Sequence, residues 1–483
     1  MRALAGVLAA FLAIALLAIV LPALPRALGA ETHEEVVRVI GPDHPSPIES
    51  FALTELNDAV QRLGNGGSAP LEIHVDTATA TSGIVSNDPE TRPEGYLLEY
   101  DRKNGVVRIV GADEKGTLNG AMDFIHYHLR DVCSGKVDRI AVKSAPALEL
   151  RGIWTWGGRI YNYEKFLDQM ARWKMNVLVA WHSRVPKNAA ALTEYALKRG
   201  IKVVWGYSWG WPGGPAGRLD WNNPESIAKH QEIAVDTFRR EYAPLKPFGV
   251  YFQSNTESGS AKNRLDKLVP FINETADRLL KEYPDLFVSA GLHYTSFAEG
   301  LGPVDQIDPR LNIMWEDLPG CPFSYDPGTT SGDGFERAAV WTSDPSKLPV
   351  DKNINIAKKL MSLRKEKEDI GFVLKGFHNR CFGGDPQKIE DPAALDTMAN
   401  KRAPVWRKRE AGWRRNLGDG LEVLQALVAS TARRKIVTLL VEDGLWEAKA
   451  WYAVCLVSEA MWDPSRNTDD LLRLLDACPD AFK

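Results

Sequence analysis

Three carboxylates stand where two short apolar runs stop. Glu257 lies a few residues past "FGVYFQ" in "FGVYFQSNTES", and Glu316 and Asp317 end "LNIMWED". Two carboxylic side chains facing each other across a cleft can protonate a leaving oxygen and activate a nucleophile, which is the chemistry of acetal hydrolysis. The ends of neighbouring runs carry aromatic groups: Trp154 and Trp156 in "RGIWTW", Trp181 before His182 in "NVLVAWH", and Trp205, Tyr207 and Trp209 in "IKVVWGYSW". Tyr294 follows His293 in "LFVSAGLHY", and Trp315 adjoins the carboxylates. Asn255 precedes Glu257 by two positions, while Lys375, His378 and Arg380 close "IGFVLKGFHNR". Flat aromatic faces stack on sugar rings, and such polar groups can hydrogen-bond sugar hydroxyls.

Roles follow from setting. Glu257 sits among small polar neighbours, where a rim dense in tryptophan would desolvate its carboxyl and favour the protonated form, as a general acid requires. The second carboxylate is Glu316 or Asp317. Successive strand residues point to opposite sides, so only one of the two faces a site. The plain alternatives are a surface-loop Glu257, an Asp317 that braces its loop, and tryptophans that fill the core. His182, His293 and His378 come singly from three runs without the paired H-x-H spacing of metal-hydrolase barrels. With no CxxC or HExxH spacing either, no metal and no cofactor is expected.

These groups need a frame that gathers strand ends. From Arg151 onward short apolar runs alternate with amphipathic helical segments such as "YEKFLDQMARWKM" and "RLDKLVPFINETADRLLKEY". Seven runs precede residue 377 and "KIVTLLVED" makes an eighth. This alternation predicts an α/β fold, a (β/α)8 TIM barrel over 148–445, whose chemistry belongs at the C-terminal ends of its strands. A doubly wound sheet binding a nucleotide would need a Gly-rich turn after the first strand, and none is there. The stretch "CPFSYDPGTTSGDGFERAAVWTSDPSKLPVD" reads as a long loop or lid over the barrel mouth.

Ahead of the barrel, 31–147 reads as a small α+β domain. "LEIHV" is a strand, "GYLLEYDRKNGVVRIVG" a hairpin about Asn104-Gly105, and "GTLNGAMDFIHYHLRD" a helix. His126 and His128 are expected to pack or to face solvent on that helix. A helical segment, 446–483, closes the chain. Residues 1–30 have a basic start, an apolar run and a small-residue end, the pattern of a signal peptide, so a secreted or periplasmic protein is expected. The run is long enough that an uncleaved anchor is the alternative, and only then would a membrane be a partner. A net charge of −4 gives no reason to expect nucleic acid. Five scattered cysteines do not make a disulfide scaffold.

The motifs "GYLLEY…VVRIVGADEKGTLNGAMDFI" and "RGIW…NYEKFLDQMARWKMNVLVAWH" resemble the α-glucuronidases of glycoside hydrolase family 67 and the related β-N-acetylhexosaminidases. The resemblance runs from about residue 35 onward. "SNTESG" is similar to the α-glucuronidase motif after the fourth strand, which implies the acid role for Glu257. Thr256 stands where hexosaminidases carry an aspartate, which argues against substrate-assisted chemistry. The motifs that carry the glucuronidase base have no counterpart in "NIMWEDLPGCPFSY". The sequence therefore predicts an exported glycoside hydrolase acting on an oligo- or polysaccharide through two carboxylates. The competing readings are a non-catalytic carbohydrate-binding protein on a hydrolase-like barrel and a metal-dependent hydrolase.

Overall fold

A computed structural model describes residues 37–63, 70–78, 92–156, 162–210, 217–253, 265–293, 301–318, 353–364, 366, 368–374, 393, 397, 414, 417–418, 420–441 and 451–476. The chain begins with a five-stranded sheet: β1 (Val37–Ile40), β2 (Leu71–Thr77), β3 (Tyr96–Asp101), β4 (Val106–Gly111) and β5 (Arg139–Ser144), in the order β1-β2-β4-β3-β5. Strands β3 and β4 form the hairpin expected at Asn104-Gly105. Gly105 takes φ +63°, a backbone state that glycine adopts without strain. Strand alternation puts Ile73, Leu98 and Ile109 on one face. There they meet Phe51 and Leu56 of the helix Pro47–Leu63 and Leu118 and Met122 of the helix Glu114–Asp123. Asp113 caps the second helix by accepting from Gly116 N at 2.7 Å. A π-helical turn, Phe124–His128, follows, and in it His126 stacks on Trp173 at 4.5 Å. The helix Pro47–Leu63 and the edge strands β1 and β5 have no counterpart in the sequence reading.

Eight parallel strands then close a barrel. They are β6 (Leu150–Trp156), β7 (Val177–Trp181), β8 (Lys202–Tyr207), β9 (Gly249–Gln253), β10 (Phe287–His293), β11 (Asn312–Leu318), β12 (Ile370–Leu374) and β13 (Lys435–Leu440). Strand β13 pairs with β6 to complete the ring. All eight expected runs are barrel strands. Each is buried on both faces, which is why the runs read as continuously apolar rather than alternating. One set of side chains fills the barrel interior: Leu150, Trp154, Val177, Val179, Val204, Tyr251, Phe287, Met314, Val373, Ile436 and Leu440. The alternate set packs outward against helices. In the helix Leu265–Glu282, for example, Leu268, Ile272, Thr275 and Leu279 form one buried stripe at helical spacing.

The N-terminal sheet is tied to the barrel by buried charges near the starts of β6 and β7. Glu94 meets the fully buried Arg151 and accepts from Asn176 Nδ2 at 2.6 Å. Lys174 Nζ lies 2.6 Å from Asp123 of the sheet domain and 2.7 Å from Glu459 of the C-terminal helix Trp451–Trp462. Arg172 grips Glu55 with two nitrogens at 2.6 and 2.7 Å. Burial pushes the Glu94 carboxyl up, but the charges of Arg151 and Lys115 and the hydrogen bonds to it outweigh that, and its pKa is lowered. This leaves the opposite end, where the strands finish, for chemistry.

Candidate functional site

Strands β9, β10 and β11 carry the described polar side chains that meet inside the barrel. Glu316 shares its side of β11 with Met314, an interior residue, so alternation turns its carboxylate inward. On β10, His293 pairs in register with Glu316, and its Nε2 lies 3.1 Å from Glu316 Oε2. From β9 the Tyr251 hydroxyl donates to Glu316 Oε1 at 2.5 Å. All three side chains are buried. Gln253, one alternation beyond Tyr251, is buried as well. Gly291 faces the same space. A Cβ there would lie 2.6 Å from Glu316 Oε1 and closer still to the tyrosine hydroxyl. The Trp154 and Tyr251 rings make a T-shaped contact with centroids 5.7 Å apart, and Trp181 packs on the same interior cluster.

One oxygen of the Glu316 carboxylate accepts from a hydroxyl and the other lies beside an imidazole. The carboxylate is thereby fixed in one orientation. That arrangement suits a base or nucleophile better than a proton donor.

Other expected residues fall elsewhere. Trp205 and Tyr207 lie on the outward side of β8 together with Val203. The Tyr207 hydroxyl donates to Ala234 O at 2.9 Å, and its ring stacks on Tyr242 at 4.8 Å. Trp209 stacks on Phe252 at 4.4 Å, and Trp315 is wholly buried on the outward side of β11. The sugar-platform role expected of Trp205, Tyr207, Trp209 and Trp315 therefore gives way to packing between barrel and helices. His182 turns to its own loop, with Nδ1 3.0 Å from Arg184 O.

Glu257, Asn255, Tyr294, Lys375, His378 and Arg380 lie outside the described residues, as do the side chains of Trp156 and Asp317. The long segment expected as a lid also lies outside them. Among the described residues, no cluster of three or more His, Cys, Asp or Glu side chains is arranged to hold a metal ion. Tyr251 and Gly291 are the site residues that the sequence reading missed. Counting back two positions from Gln253, along one face of the strand, would have found the tyrosine.

No protein-family profile matches the chain, and no curated protein matches its sequence. Solved structures share its fold. A family 138 glycoside hydrolase that targets pectin rhamnogalacturonan II is similar with a TM-score of 0.54 at 15% identity, over 91% of this chain and 52% of its own. The chain thus spans about half the length of that enzyme. CpGH84B is similar with a TM-score of 0.51 at 14% identity, over 92% of this chain and 70% of its own. These likenesses concern the barrel and its preceding sheet domain. Neither protein is described as an α-glucuronidase, so that finer expectation rests on the sequence motifs alone.

Proposed function

We propose that this chain is a glycoside hydrolase that cleaves a glycan through two carboxylates, Glu316 as base or nucleophile and Glu257 as general acid. The observation that carries the reading is the inward turn of Glu316 at the end of a closed parallel barrel, between Tyr251 and His293. Two solved structures of this architecture bear glycoside hydrolase designations, which supports the same chemistry. In the reaction Glu257 protonates the glycosidic oxygen as the C–O bond breaks. Glu316 either attacks the anomeric carbon or takes a proton from the attacking water, and the oxocarbenium-like transition state lies between them. Trp154 and Trp181 bound the interior side of the site. A substrate bearing a uronic acid, with Lys375 or Arg380 as its carboxylate partner, is the finer reading, and export through residues 1–30 belongs to the same proposal.

A proton NMR time course tests this on plant and bacterial oligosaccharides, with wild type beside Glu257→Gln and Glu316→Gln. Sugar release by the wild type, lost in both variants, is the expected result, and the first anomer to appear gives the stereochemistry. Chemical-shift changes on binding without turnover by any form would replace the hydrolase with a carbohydrate-binding protein. Turnover abolished by a chelator would replace it with a metal-dependent hydrolase.

A further inference from the structure

We infer that Tyr251 is a positioning residue for Glu316, and that glycine at position 291 is what admits it. The inference rests on the reading of Glu316 as a reacting carboxylate and adds to it the device that sets its charge state. Three strands contribute. Tyr251 rises from β9, crosses the inner face of β10 at Gly291, and reaches Glu316 Oε1 on β11 at 2.5 Å. Any side chain at 291 would occupy the space where hydroxyl and carboxylate meet. The Tyr251 ring also packs in a T-shaped contact with Trp154, centroids 5.7 Å apart, inside the barrel. The missing side chain at Gly291 is therefore what leaves room for the hydrogen bond.

A buried hydroxyl that donates to a carboxylate stabilises the ionised form and fixes its rotamer. Among the described residues, the titratable groups facing Glu316 are Tyr251 from β9 and His293 from β10. His293 Nε2 lies 3.1 Å from Oε2, and the phenol donates to Oε1. With Tyr251 in place, the hydroxyl aims the Glu316 carboxylate and lowers the cost of its charge. Without it, the carboxyl loses a donor in a buried setting and takes up a proton at higher pH.

The test reads the carboxyl directly. Wild-type protein, Tyr251→Phe and Gly291→Ala are labelled with glutamate carrying 13C at the side-chain carboxyl, and Glu316→Gln identifies the Glu316 resonance by its disappearance. The Glu316 titration midpoint is expected to rise by about one pH unit or more in both variants, with melting temperatures showing that each remains folded. On a glycan that the wild type cleaves, Tyr251→Phe should lower kcat about tenfold or more, leave KM within about twofold, and move the acidic limb of kcat/KM to higher pH. A midpoint unchanged in folded Tyr251→Phe overturns the inference, even if turnover persists. A shifted midpoint in a protein with no glycan turnover upholds the positioning and removes only the hydrolase reading. Gly291→Ala serves if Tyr251→Phe does not fold, since it displaces the hydroxyl while leaving it in the chain.

Discussion

His293 and Glu316 face each other in register across β10 and β11, with imidazole Nε2 3.1 Å from carboxylate Oε2, both side chains buried. The pair joins two adjacent barrel strands at their C-terminal ends. Replacing His293 with Leu leaves the carboxylate without one of its partners, and stability should fall by about 1–3 kcal/mol. Glu316→Gln keeps the shape and a group that can accept from Tyr251. Its melting temperature should stay near that of the wild type, while glycan turnover falls about 10²–10⁴-fold. Urea unfolding of both variants beside steady-state kinetics checks the pair of expectations.

Lys174 sits between Asp123 and Glu459 at the domain junction. Burial pushes the Asp123 carboxyl up, but Lys174 and the Tyr96 hydroxyl outweigh it and its pKa is lowered. At Glu459 burial wins and the pKa is raised. Lys174→Met strands two buried acids beside each other and should cost about 3–5 kcal/mol. The triple variant Lys174→Met, Asp123→Asn, Glu459→Gln should lose less, because the two buried acids no longer carry charge. Chemical unfolding would show this, and a larger loss in the triple variant would count against it.

His126, stacked on Trp173, has its pKa lowered to about 4 from 6.5, chiefly by burial, with Asp123 opposing. Between those values the unfolded imidazole binds a proton that the folded one refuses. The stabilisation is complete above pH 6.5 and is lost as pH falls to about 4, amounting to roughly 3 kcal/mol at its limit. His126→Phe keeps the stacking and removes the titration. Its stability should vary less with pH across that window, while the losses due to Glu94 and Asp123, whose pKa values are lowered, set in at lower pH and remain.

Trp205 separates packing from sugar binding. It is wholly buried among outward-facing residues of the barrel. Trp205→Ala should cost about 3–5 kcal/mol of stability. The milder Trp205→Phe should leave KM for any cleaved glycan unchanged. A selective rise in KM in the folded Trp205→Phe protein would restore the platform role.

The sequence alone determined the frame. Eight apolar runs, the helices between them and the hairpin at Asn104-Gly105 were legible because strand length, helical period and turn chemistry are local properties. Strand ends were legible too, and reading them brought out His293 and Glu316. What the sequence left open was which way each strand-end side chain turns. In a strand with one wet face, polarity alternates and reveals the inside. Here β8 and β11 are buried on both faces, so Val204 and Trp205, or Met314 and Trp315, look alike in character. Closure of the barrel decided that Trp205 and Trp315 face helices while Glu316 faces the interior. It also brought Tyr251 to Glu316, 65 positions away, past a glycine whose only distinction is the side chain it lacks. Side-chain alternation is written in the chain. Its phase relative to the core depends on contacts between strands that are distant in sequence, and those exist only once the ring is closed.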